Sequence, residues 1–113
     1  MLKREHRLHR RAEFRAAYRG GRVYGGSLLR LYVLRGGSGK KAAVVTSKRV
    51  GGAVVRNRMR RLVSESVRLL YPWIDDGVSL VFVARGGSGH APFEKVSTEV
   101  RDLLEKAGVL GHE

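Results

Sequence analysis

One segment, Ala53–Leu70, constrains what this chain can fold into more than any other. At about 100° per residue its apolar side chains gather on one stripe, as they do in a helix that packs against a sheet. Shorter apolar runs at residues 42–46 and 78–84, both bounded by turn residues, predict buried strands before and after it. The packing stripe of the predicted helix comprises Val55, Met59, Leu62, Val63, Ser66, Leu69 and Leu70.

The rest of the chain supplies further elements. Residues 10–19 show helical spacing and stop at Gly20, and residues 93–107 predict a helix that ends at Gly108. Residues 23–34 are rich in β-branched, aromatic and leucine side chains and predict one strand. The predicted order of elements is therefore α-β-β-α-β-α, an α/β (α+β) arrangement.

The predicted first strand has two different faces. Alternation places Leu29, Leu31 and Val33 on one face and Arg30 and Tyr32 on the other. We expect the first face to join the core and the second to be solvated.

Length and composition indicate one domain over residues 1–113. With 42% hydrophobic content, a chain of this length supports one modest core. Residues 1–9 form a basic N-terminal arm that we expect to be too polar to pack, and residues 111–113 form a tail. No segment is apolar and long enough for a signal peptide or a membrane span.

The charge balance points to a polyanionic partner. The chain has 23 Lys and Arg against 10 Asp and Glu, a formal net charge of +13, and no acidic residue lies between Lys40 and Ser64. The absence of cysteine excludes disulfides, thiolate metal sites and thiol nucleophiles, and it fits a cytoplasmic protein.

The strongest candidate for contact with a polyanion is the start of the long predicted helix. Arginine forks suit bidentate contact with phosphate, and asparagine adds a donor and an acceptor for sugars or base edges. The competing interpretation is a solvated basic face with no ligand. The residues concerned are Lys48, Arg49, Arg56, Asn57, Arg58, Arg60 and Arg61.

Other patterns are less informative. The pentapeptide Arg-Gly-Gly-Ser-Gly follows a predicted strand twice, at residues 35–39 and 85–89, and favours flexible surface connections over a phosphate-binding loop. The adjacent carboxylates Asp75 and Asp76 precede Gly77 and predict a turn. The four histidines His6, His9, His90 and His112 have no metal-site spacing, so we predict no catalytic residue and no protein-held metal.

The run Ser47 to Leu62, Ser-Lys-Arg-Val-Gly-Gly-Ala-Val-Val-Arg-Asn-Arg-Met-Arg-Arg-Leu, resembles the signature of the bacterial ribonuclease P protein subunit. In that family a Ser-Lys-Lys/Arg-Val-Gly turn leads into an Arg-Asn-Arg helix. Further similarity covers Leu2 to Leu8, Glu13-Phe14, Phe82 to Arg85 and Leu103 to Gly108, which together span nearly the whole chain.

This resemblance implies a two-layer α/β sandwich of the ribosomal S5 domain 2-like type, with a left-handed β-α-β crossover through the Arg-Asn-Arg helix. It also implies that the chain is the protein subunit of an endoribonuclease that removes the 5′ leader from precursor tRNA. In that enzyme the RNA subunit and its Mg²⁺ ions carry the catalysis. The partners would be ribonuclease P RNA and precursor tRNA, with no membrane and no obligate protein partner.

The resemblance also divides the candidate residues into two surfaces. The basic residues named above, from Lys48 to Arg61, would face the catalytic RNA. The leader would lie on an aromatic cleft, since bases stack on aromatic side chains near positive charge. The residues of this cleft would be Phe14, Tyr18, Arg30 and Tyr32.

Two other classes of protein share some of these features. A ribosomal or general RNA-binding protein would have similar charge but would lack the Arg-Asn-Arg run together with the aromatic cluster. A protein of membrane surfaces would need exposed bulky apolar residues opposite the basic ones, whereas here the apolar stripe is needed for packing.

Overall fold

A computed structural model of the chain describes residues 2–8, 10–37 and 39–111. Within them, three α-helices and four strands follow in the order α-β-β-β-α-β-α. Single turns of 3₁₀-helix at Arg4–His6 and Tyr71–Trp73 precede α1 and follow α2. The elements are α1 (Arg11–Gly20), β1 (Arg22–Gly25), β2 (Leu29–Arg35), β3 (Lys40–Val45), α2 (Ala53–Leu70), β4 (Val78–Ala84) and α3 (Phe93–Lys106).

The four strands form one sheet in the order β1-β2-β4-β3. β4 pairs antiparallel with β2 and parallel with β3, so α2 is the connection between two parallel neighbours. The mixed α/β class predicted from the sequence is confirmed, and the bounds of α2 and β4 agree with the predicted segments.

The region predicted as one strand, residues 23–34, is instead the hairpin of β1 and β2, so the predicted order lacks one strand. The reason is the turn between them, whose backbone is held by a distant carboxylate. Glu99 of α3 accepts hydrogen bonds from the backbone N–H groups of Ser27, Leu28 and Leu29 at 3.0, 2.8 and 2.5 Å. A Cβ on Gly26 would lie 2.5 Å from the Glu99 carboxyl carbon, so a larger residue there would displace the carboxylate from the turn.

The main core lies between one face of the sheet and helices α2 and α3. Leu29, Leu31 and Val33 are buried in it, as the alternation predicted. The packing stripe of α2 is shifted slightly from the predicted one, because Val67 is fully buried whereas Leu69 is 50% exposed. The core is completed from α3 by Val96, Val100, Leu103 and Leu104.

The opposite face of the sheet carries a smaller cluster, so the expectation of two layers with one solvated face is wrong in part. Ala17 of α1 packs there on Val81 of the central strand β4, and both side chains are fully buried. Because β4 is apolar on both faces, its second face also needs a cover, and α1 supplies it over part of the sheet.

The N-terminal arm packs against the domain, contrary to the sequence-based expectation. Leu2 and Leu8 are buried, and the Leu8 N–H donates to the Ala42 carbonyl at 3.0 Å, which ties the arm to the free edge of β3. The two apolar residues at the ends of this basic segment anchor it. Met1, His9, Ser38 and the tail residues His112 and Glu113 lie outside the described residues.

The two glycine-rich repeats have different environments. Gly36 and Gly37 are exposed and have positive φ angles, as expected of a surface connection. In the second repeat Ser88 is 2% exposed, and a Cβ on Gly89 would lie 2.6 Å from the Val50 carbonyl oxygen. The second repeat is therefore a packed loop beside the start of α2, and the prediction of a flexible connection is wrong for it.

Candidate RNA interface

The positive charge of the protein is concentrated in the first half of the chain. Residues 1–61 hold 18 of the 23 Lys and Arg side chains but only two of the 10 Asp and Glu side chains. This half comprises the arm, α1, β1 to β3 and the start of α2. A surface of this charge attracts polyanions and repels itself in their absence.

The start of α2 concentrates donors as well as charge. Its N-cap, Gly52, provides no side-chain hydrogen bond, and its first turn contains no acidic residue. Lys48 and Arg49 are exposed in the turn just before it. Because the N-terminus of a helix carries free N–H groups and a partial positive charge, these side chains extend an electropositive end.

Arg60 is held in place by its neighbours. Its guanidinium donates to Thr46 Oγ1 at 2.7 Å and also to Asn57 Oδ1. Both Asn57 and Arg60 are exposed, and so is Arg61. An arginine whose rotamer is already fixed loses less conformational entropy on binding a phosphate.

Arg56 and Arg58 differ from these residues because both are half-buried. The Nε atom of Arg56 is buried and has no hydrogen-bond partner among the described residues. The guanidinium of Arg58 donates to the carbonyl oxygens of Gly89 and Ala91 at 3.1 and 3.0 Å. Arg58 therefore ties the second glycine-rich loop to α2, a structural role that the sequence pattern did not reveal.

The aromatic residues predicted to receive a leader lie on the sheet face that carries α1. The Tyr18 and Tyr32 rings meet edge to face, with centroids 4.8 Å apart. Tyr18 is 41% exposed, whereas Phe14 and Tyr32 are both half-buried. Partial burial, reinforced by Tyr32, raises the pKa of Tyr18, which therefore stays a neutral hydroxyl.

α1 leaves part of this sheet face open. Arg30 is exposed there and pairs in register with Val83, while Val23 lies opposite Tyr32 and is 51% exposed. Arg85 follows β4 directly and lies close to Gly25. A Cβ added to Gly25 would be 3.1 Å from the Nη2 atom of Arg85. Val23 and Arg85 were missed as candidates because their positions depend on the hairpin.

The structure brings no three residues of the His, Cys, Asp and Glu types together as a metal site within the described ranges. His6 stacks on Tyr71, with ring centroids 4.0 Å apart, and His90 is exposed in a loop. Asp75 and Asp76 are exposed in the turn before β4, as predicted.

None of the helices in residues 2–8, 10–37 and 39–111 combines the length and the apolar character needed to cross a membrane.

Known proteins are similar to this chain in sequence. The family described as Ribonuclease P matches residues 2–108. The ribonuclease P protein component of Clostridium novyi is 39% identical over 111 residues, which cover 96% of this chain and 98% of that protein. The ribonuclease P protein component of Roseiflexus castenholzii is 38% identical over 111 residues, covering 96% of this chain and 91% of its own.

Solved structures show the same fold at lower identity. The RNase P protein of Staphylococcus aureus superposes with a TM-score of 0.86 at 19% identity, covering 94% of this chain and 98% of that chain. The RNase P protein of Thermotoga maritima, solved in complex with 1-(4-fluorophenyl)-2-thiourea, gives a TM-score of 0.81 at 22% identity, covering 88% and 98%. On the extent of the sequence matches, this chain belongs to the family of ribonuclease P protein components.

Proposed function

We propose that this chain is the protein subunit of ribonuclease P and assists the endonucleolytic removal of the 5′ leader from precursor tRNA. The observation that carries the proposal is the row of basic side chains at the start of α2, which has no acidic neighbour between Lys40 and Ser64. Family membership supplies the RNA partner, and the charge supplies the physical reason for binding it.

The catalytic RNA is proposed to lie along the turn before α2 and the first two turns of that helix. Arg60 and Asn57 support each other there, and Lys48, Arg49 and Arg61 are exposed for contact with phosphates. Arg56 is half-buried, so it would contact a phosphate through the exposed part of its side chain and not through its buried Nε. Direct contact of Arg58 with RNA stays a prediction, since its known partners are Gly89 and Ala91.

The leader is proposed to lie on the sheet face beside α1. Tyr18, Tyr32 and Phe14 offer ring faces for stacking, and Arg30 offers charge to the backbone. Stacking on aromatic rings is tolerant of sequence because every base has a π-face. Such a surface suits leaders of many different sequences.

In this proposal the chain binds and orients RNA, and it contributes no catalytic group. Mg²⁺ bound mainly by the RNA subunit supplies the charge stabilisation of phosphate-ester hydrolysis. The site of action is the cytoplasm. The finer fold assignment, a ribosomal S5 domain 2-like topology with a left-handed crossover through α2, remains part of the proposal.

The test is a comparison of leader removal from precursor tRNA by the catalytic RNA alone and with this protein, at near-physiological magnesium. We expect the protein to increase the rate and the affinity for precursor tRNA. Binding of RNA without any stimulation of cleavage would contradict the proposal and indicate a general RNA-binding protein instead.

A further inference from the structure

A groove of about 530 Å³ runs along the free edge of β3, between α1 and α2. The N-terminal arm forms one end of it, because the Leu8 N–H is bonded to the Ala42 carbonyl at 3.0 Å. We call it the β3-edge groove, and its defining residues are Leu8, Phe14, Val44, Asn57, Arg61 and Ser64. It lies between the two proposed RNA surfaces and shares Asn57, Arg60 and Arg61 with the α2 surface and Phe14 with the aromatic face, whereas Tyr18 and Tyr32 do not line it.

One wall of the groove is polar and comes from α2. Asn57, Arg61 and Ser64 are spaced four and three residues apart, so they lie in a row along one side of the helix. Asn57 accepts a hydrogen bond from Arg60, and its amide N–H donors have no partner among the described residues. The Ser64 hydroxyl likewise has no hydrogen-bond partner in the part of the chain that the structure describes. These donors and acceptors match what is needed to read the edge of a base.

The remainder of the groove is apolar. Leu8 and Leu2 are buried at its base, Val44 adds a β-branched side chain, and Phe14 presents an aromatic ring from α1. A nucleobase is a planar ring with polar edges, and phosphates flank it along the RNA chain. This shape fits the groove, which has an aromatic and aliphatic lining, a polar wall and an arginine at its rim. A phosphate alone would leave the apolar part unused.

We propose that the β3-edge groove receives one unstacked nucleobase of the catalytic RNA. The proposal rests on the function proposed above and adds to it a point of base contact. The catalytic RNA is the occupant because the polar wall belongs to the same α2 row that carries the basic surface, with Arg60 and Arg61 beside it. Phosphate contacts position an RNA, whereas a seated base fixes its register.

The first experiment uses the absence of cysteine from the chain. Ser64→Cys places a single thiol in the groove, to which an azidophenacyl photo-cross-linker is attached. Ser97→Cys is the matched control, a half-buried serine on α3 that lines the separate cleft between α2 and α3. In the holoenzyme, we expect the Ser64 adduct to cross-link to one nucleotide of the catalytic RNA, with or without precursor tRNA. Cross-linking only to the leader, or to no defined nucleotide, overturns the proposal.

The second experiment removes the base itself. Catalytic RNA that is abasic at the cross-linked nucleotide should bind the unaltered protein about 5- to 150-fold more weakly, the loss expected for one base stack. Ser64→Leu, which fills the groove, should lose a similar factor with natural RNA and little more with abasic RNA. Ser97→Leu should behave like the unaltered protein with both RNAs.

Equal affinity for abasic and natural RNA overturns the proposal, and this comparison does not depend on the folding of any variant. If the unaltered protein assembles and stimulates cleavage while the missing base has no effect, only the groove assignment fails. If the unaltered protein neither assembles nor stimulates cleavage, the proposed function fails with it.

Discussion

The two halves of α2 use arginine in opposite ways. In the second half Arg68 is paired with Glu65 through contacts of 2.5 and 2.9 Å. In the first half Arg56, Arg60 and Arg61 have no acidic partner among the described residues. One helix thus carries both an ordinary ion-paired surface and a surface whose charge is left for another molecule.

The difference between the halves shows which arginines no carboxylate of the described residues neutralises. An arginine can be satisfied by a carboxylate, as Arg68 is, or by backbone carbonyls, as Arg58 is. Those without either are the ones a phosphate would stabilise most. The order of the arginines in the sequence does not show which of them has a partner within the protein, whereas the contacts in the structure do.

The largest expected effect is the salt dependence of RNA binding. If about six basic side chains of the turn before α2 and of its first half contact phosphates, the affinity for catalytic RNA should fall about 10³-fold between 50 and 200 mM salt. Arg61→Ala should reduce the slope of log K against log salt by about one, whereas Arg68→Ala should leave it unchanged. A filter-binding titration at several salt concentrations measures both. Equal changes in slope for the two variants would remove the distinction between the halves.

The next effect separates the α2 surface from the aromatic face. Tyr32→Ala should leave assembly with the catalytic RNA intact but weaken binding of precursor tRNA by about 5- to 150-fold, because one stack is lost. A precursor with a one-nucleotide leader is the control, since it is too short to reach this face, and there the variant should match the unaltered protein. The same loss on both substrates would return Tyr32 to a purely packing role beside Tyr18.

A smaller effect concerns stability and compares Arg58 with Arg61 on the same helix. Arg58→Ala should lower the free energy of unfolding by about 1–3 kcal/mol, because it leaves the carbonyls of Gly89 and Ala91 without their donor. Arg61→Ala, at an exposed position, should change it by no more than about 0.5 kcal/mol. Urea unfolding monitored by circular dichroism measures both. Equal stabilities for the two variants would show that the loop is held by its apolar packing alone.

The sequence predicted α2 and β4 to the residue, because each has a strong periodicity and clear breakers at both ends. It did not predict the β1–β2 turn, which depends on Glu99, a residue more than 70 positions away. It also missed the packing of Leu2 and Leu8, since two apolar residues in a basic segment give no periodic signal.

The contacts of the candidate residues depend on the fold more than on their order in the sequence. The run of basic residues predicted a charged surface at the start of α2, but it did not predict the hydrogen bond from Arg60 to Asn57. Local spacing could not show that Arg58 turns toward Gly89, because the loop that contains Gly89 approaches α2 only in the folded domain.

The smallest expected effect is the response of the second half of α2 to acid. The hydrogen bond from Arg68 is the largest cause that lowers the pKa of Glu65, to about 2. A depressed carboxyl pKa stabilises the fold above the unfolded pKa, about 4.3 for Glu, and this contribution is lost as the pH falls toward about 2. Because the pair is solvent-exposed, the stability change in this window should be small and should shrink further with added salt.

Arg68→Ala is the variant that isolates this pair. It should move the pKa of Glu65 toward its ordinary value, since the first cause of the shift is removed, while RNA binding at neutral pH stays unchanged. Arg61→Ala is the matched control in the first half, and it should leave the Glu65 titration as it was while weakening RNA binding. NMR titration of the Glu65 side-chain carboxyl measures the pKa directly. An ordinary Glu65 pKa in the unaltered protein would mean that Arg68 is not held by its carboxylate, and the contrast between the two halves of α2 would then rest on acidic content alone.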